Sequence, residues 1–149
     1  MVNTIAQILN LKTEASLRDA FQLMEAELIA EIAPLEQALE TTVQSMDPAT
    51  NFRHAAFVGS WRNKIARFLM LVTGFVEHAK SDSFLLPKAA GVTEVARDMH
   101  RRGLAGPFVA WQRRLEHLVE DIDCRVNFCK KCIESEKNGR SSGAFSTEY

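Results

Sequence analysis

Three cysteines and four histidines are the residues of this 149-residue chain best suited to hold a metal or carry nucleophilic chemistry. Cys124, Cys129 and Cys132 have the spacing C-x4-C-x2-C, with His117 seven residues upstream. Drawn from loops, such a set would suit zinc or an iron–sulfur cluster. On one continuous helix the three thiols stand at roughly 0°, 140° and 80° around the axis, too widely fanned to converge on one ion. Cys129 also fills a slot in an apolar row, so the set reads as buried or half-buried free thiols. An odd number of cysteines near one end fits a reducing compartment better than a disulfide framework.

The histidines form a second constellation. His78 with Asp82, and His117 with Asp121, are spaced four residues apart, which puts each pair on one helix face. His100 lies between them in sequence. If a helix ending near residue 84 runs up, a short one over 92–102 runs down and a third from 107 runs up, all five residues reach one layer of a bundle. That order is similar to the hemerythrin-like four-helix bundles. The run Phe75-Val76-Glu77-His78, Asp82 and Phe84-Leu85-Leu86-Pro87 resembles that family's second-helix motif. The resemblance implies a di-iron site that binds O2 or senses metal, with His78, Asp82, His100, His117 and Asp121 as ligands. The first long helix contributes no histidine to it, and both paired carboxylates are Asp.

Two further patterns carry weaker chemistry. His54, with Gly59 five residues on, resembles the exposed mid-helix histidine of phosphotransfer modules. Arg97, Arg101, Arg102, Arg113 and Arg114 crowd around Gly103 and form the best surface for phosphate groups or an acidic protein. Asp98, Glu116 and Glu120 interrupt that surface, and no aromatic residues interleave with it. The sequence has no glycine-rich phosphate loop, no H-E-x-x-H and no G-x-S-x-G turn.

The elements that must position these residues are helices. Leu17, Phe21, Met24, Leu28, Ile32, Leu35, Leu39, Val43 and Met46 recur at steps of three and four, the period of a helix with one buried stripe. This helix is expected over 16–46, capped by Thr13 or Ser16, and Pro34 should kink or split it. Asp47-Pro48 pairs a capping residue with a proline suited to the first helical position, so a second long helix should run from there to about Ser81. Thr93 should cap a short helix ended by Gly103, and Gly106-Pro107 should open a third long helix carrying Phe108, Trp111, Leu115, Leu118, Ile122, Val126, Cys129 and Ile133. Residues 2–11 read as a short helix or arm. The expected fold is all-α: an antiparallel bundle of three long amphipathic helices plus one or two short ones, one domain over 1–136 with a flexible tail at 137–149. A charge at Leu69 or Leu118 should unfold it.

Composition sets the outer bounds. Hydrophobic residues make up 46% and charged residues 25%, the balance of a globular domain rather than a disordered chain. The net charge of −1 argues against a general affinity for nucleic acid, but it is unevenly spread. Residues 1–49 carry two basic and eight acidic side chains, net −6. The remainder carries 16 basic and 11 acidic, net +5. Side-by-side packing of an acidic and a basic helix explains the split most simply. No apolar stretch is long enough to span a bilayer, and the start lacks a signal-peptide pattern, so a cytoplasmic protein without a membrane partner is expected.

Scattered chemistry beside abundant amphipathic faces favours a non-enzymatic interaction protein without a cofactor: an adaptor, chaperone, inhibitor or regulatory subunit. Its partner would be another protein chain, a homodimer included, docking on Phe57, Val58, Trp61 and the arginine face. The alternatives are the iron-binding bundle and an arginine-based nucleic-acid-binding regulator.

Overall fold

A computed structural model describes residues 2–40 and 47–146, with side chains to Gly139. Its elements are α1 (Ile5–Leu9), α2 (Glu14–Glu40), α3 (Pro48–Ala79), a 3-10 turn (Asp82–Phe84) and α4 (Glu94–Ser146). The described residues contain no strand, so the all-α expectation of three long helices holds.

Each long helix starts where a short polar side chain satisfies the backbone N–H groups left over in the first turn. Thr13 Oγ1 accepts from Ser16 N at 3.1 Å, and Ser16 Oγ accepts from Thr13 N at 3.2 Å. Asp47 accepts from Thr50 N at 3.2 Å and from Thr50 Oγ1 at 2.7 Å, with Pro48 at the first helical position. Thr93 Oγ1 accepts from Ala96 N at 3.1 Å. Even α1, only five residues long, has a full capping box between Thr4 and Gln7.

Cross-helix contacts fix the directions. Arg62 meets Asp123 and Thr73 meets Gln112, so α3 and α4 run antiparallel. Glu31 meets Lys64 and Phe21 meets Phe75, so α2 also opposes α3. Glu14 meets His100 and Glu25 meets Trp111, which sets α2 parallel to α4. The core sits where all three converge. Phe21, Phe75 and Phe108 supply one ring from each helix, with centroids 4.3 to 5.5 Å apart. From Leu17 to Leu39 the apolar row of α2 is buried throughout, as its period requires; Val43 and Met46 lie outside the described residues.

α1 lies against α3. Ile8 is fully buried, and a methyl group at Gly74 would stand only 2.6 Å from Ile5 Cδ1 and 3.2 Å from Ile8 Cδ1. The glycine is therefore the seat on which the arm rests.

One expected helix boundary is absent. The short helix at 93–102 and the long one from 107 are a single 53-residue helix with Pro107 inside it. Proline in a helix interior costs about 3 kcal/mol, yet Leu104, Ala105 and Phe108 on either side are buried, and a buried Leu or Phe stabilises by about 1.5–3 kcal/mol. Packing outweighs the break. Gly103, four residues before the proline, lies within the helix. It is not a helix terminus: the one glycine with positive φ is Gly91, at 87°, in the loop before α4. Pro34 likewise lies within a continuous α2 rather than splitting it, at an exposed position where water can satisfy the freed carbonyl. The stretch read as a tail continues α4 as helix to Ser146.

The uneven charge resolves into pairing between elements. Glu14, Glu25, Glu31 and Glu36 of α2 meet His100, Trp111, Lys64 and Arg114 of the two basic helices. The Arg114–Glu36 contact is bidentate, at 2.7 and 2.8 Å, and the guanidinium also covers the Trp111 ring at 4.7 Å.

Candidate functional site

The five candidate metal ligands are spread through the molecule. His78 is buried; its Nε2–H donates to the Leu11 carbonyl at 2.6 Å, and its ring meets Phe84 edge-on at 5.0 Å. It pins the α1–α2 connection to the end of α3. Asp82 is exposed. His100 contacts Glu14 at 2.5 Å. His117 points outward beside Glu120, and Asp121 accepts from Arg125 at 3.1 Å. The single-layer arrangement depended on a reversal between residues 102 and 107. Without it, His100 and His117 stand about 25 Å apart along one helix. Among the described residues no group of three His, Cys, Asp or Glu side chains is placed to hold a metal ion.

The thiols follow the helical fan. Cys124 is exposed, Cys129 buried and Cys132 half-buried. Burial, with a smaller contribution from Cys132, pushes the Cys129 thiol up, which disfavours its thiolate form. His54 is also partly enclosed, and its Nε2 has no hydrogen-bond partner among the described residues. Desolvation first, and the charge of Arg125 second, hold its pKa below the ordinary histidine value. That favours a neutral imidazole but brings no acceptor or second catalytic group to it.

The expected partner surface is redistributed. Val58 is fully buried in the core, which takes it off the surface. It belongs to the hydrophobic core, whereas the sequence placed it with Phe57. Phe57 is 51% exposed, and Trp61, one turn on and on the same side of α3, is half-buried beneath Lys64. Phe128 is 58% exposed. The close approach of Gly59 to Val126, stepped two residues along each antiparallel helix, sets Phe128 level with Phe57.

The arginines separate into structural and exposed members. Arg97 is largely buried, donating to the Leu86 carbonyl at 2.9 Å and pairing with Glu94. Arg114 is committed to Glu36 and Trp111. Arg101 donates from Nη1 to the Lys80 carbonyl at 3.2 Å, answering the negative end of α3. Arg102 and Arg113 face solvent. Arg101 and Arg102 also line a surface cleft of about 430 Å³ with Lys80 and Asp98. Lys80 carried no signal in the sequence, because only the hairpin geometry brings the end of α3 beside residues 98–102.

No helix among the described residues is long and apolar enough to cross a membrane. Comparison with protein-family models, with curated proteins and with solved structures finds no match to this chain.

Proposed function

We propose that the protein is a non-enzymatic helical interaction protein that binds another protein chain through the end of the bundle bearing Phe57, Trp61 and Phe128. A second copy of the same chain is the simplest partner, giving a homodimer. The observation that carries the reading is the exposure of Phe57 and Phe128, two large apolar side chains level with one another near the end of α2. Leaving a phenylalanine half in water forgoes about 1 kcal/mol or more of burial, and a docked partner recovers it. The wide apolar arc of α3 supports the same reading, since three long helices cover only part of it.

Sedimentation velocity over a hundredfold concentration range tests the proposal. Association is expected to weaken in Phe57→Glu and Phe128→Glu while the thermal melting temperature stays within a few degrees of the parent. A chain that stays monomeric throughout, and whose photo-crosslinker at position 57 captures no protein in the cells that make it, would refute the reading.

A further inference from the structure

We infer that the cleft formed by Lys80, Asp98, Arg101 and Arg102 is a binding site for a phosphate-type dianion. Three cationic side chains from the end of α3 and the second and third turns of α4 line one concavity. A single carboxylate answers them. Asp98 lies 3.7 Å from Arg101 and 2.8 Å from Arg102, so it holds both guanidinium groups in place while neutralising one charge. Lys80 forms no ion pair among the described residues. The cleft therefore carries two surplus positive charges, the number that a phosphate monoester or hydrogen phosphate ion brings in negative charge near neutral pH.

The geometry of the donors favours the same class. Arg101 is braced on both sides, by the Lys80 carbonyl and by Asp98, which fixes its planar fork before any ligand arrives. Its buried Nε has no partner among the described residues, a cost that neighbouring negative charge would lower. Arg102 is 77% exposed at its side chain, so it is open to a bound oxyanion while paired with Asp98. The volume equals many water molecules at about 30 Å³ each, enough for a phosphoryl group with an organic substituent. Val95, Met99 and Arg102 share one face of α4, and the first two are 70% and 66% exposed. Apolar surface beside the cations makes a lipid phosphate headgroup a second source of the same chemistry, next to free phosphate.

Two assays on the full chain separate the sources. One is calorimetric titration with inorganic phosphate at constant ionic strength, with chloride as the compensating salt. The other is flotation with phosphatidylcholine vesicles with and without phosphatidic acid. Both are run on the parent chain, Lys80→Ala, Arg102→Gln and the control Arg113→Ala, whose arginine lies on the same outer face of α4 three turns on. All three positions are exposed, so the variants should fold, and circular dichroism checks that they do. Saturable phosphate binding identifies a soluble phosphate ligand; flotation that requires phosphatidic acid identifies the headgroup. In either case Lys80→Ala and Arg102→Gln should each weaken binding about tenfold, the loss typical of one charge-assisted hydrogen bond, and Arg113→Ala should not. Failure of both assays overturns the inference. So does binding that the cleft variants leave intact or that the control weakens equally.

Discussion

Replacing Gly74 by alanine sets two opposed effects against each other in one methyl group. In a helix interior alanine is more favourable than glycine by about 0.5–1 kcal/mol, because glycine gives up more backbone freedom on folding. At Gly74 the new Cβ would lie 2.6 Å from Ile5 Cδ1 and 3.2 Å from Ile8 Cδ1. The Ile5 contact is at the tip of a half-buried side chain and can rotate away; Ile8 is fully buried and must shift with α1. Overpacking of this kind costs about 1–3 kcal/mol, so Gly74→Ala should be destabilising by up to about 2 kcal/mol. Gly103 supplies the reference, since a Cβ there meets nothing within 4 Å. Gly103→Ala should stabilise by about 0.5–1 kcal/mol. Urea denaturation measures both, and Ile5→Ala supplies the cycle. In that background Gly74→Ala should recover much of its helical gain, leaving a coupling of about 1–2 kcal/mol between the positions. If Gly74→Ala stabilises as much as Gly103→Ala, α1 does not rest on this seat.

Other substitutions probe the core, the α2–α4 seam and a buried titration. Phe108→Ala removes the ring shared by Phe21 and Phe75 and should lower the unfolding free energy by about 3–5 kcal/mol; a loss below 1 kcal/mol in the same assay would contradict the packing. Trp111→Phe keeps a ring but deletes the Nε1–H that donates to Glu25 at 2.7 Å, and should cost about 1 kcal/mol, with a matching coupling in a cycle with Glu25→Ala. A coupling near zero would mean that the seam is held by apolar contact alone. His54 is held below its ordinary pKa by burial, so the unfolded chain takes up the proton first as pH falls. The stability it confers is complete above about pH 6.5 and drains as pH drops towards the folded value. His54→Gln should flatten that part of the stability profile; identical slopes in the two proteins would assign the acid sensitivity elsewhere.

The long apolar rows were legible because burial on one side of a helix imposes a period that no strand or loop shares. Leu17 to Leu39 and Phe108 to Ile122 are buried on that basis. Helix starts were legible for the same kind of reason: Thr13, Asp47 and Thr93 each satisfy local amides by chemistry confined to three or four residues. Pro107 was misread because its local cost is opposed by distant contacts, at Leu104, Ala105 and Phe108, which sequence spacing does not reveal. That one misreading carried the histidines with it, since their convergence needed the chain to reverse there. The sign of the charge split pointed to helix pairing, but the individual partners depend on register, which only the packed helices define. Val58 was misplaced because a wide apolar arc does not say which of its edges meets a neighbour. The cleft at Lys80 was invisible for a similar reason: its residues are local in space and twenty apart in sequence.

α4 has a mechanical consequence. It is packed against α3 down to the level of Pro48, about residue 137 by the register of the Arg62–Asp123 and Thr73–Gln112 contacts. From there to Ser146 is about 14 Å of helix. A tilt of ten degrees in this last stretch would move its end by about 2 Å. A force applied at that end returns to the α3–α4 seam as torque.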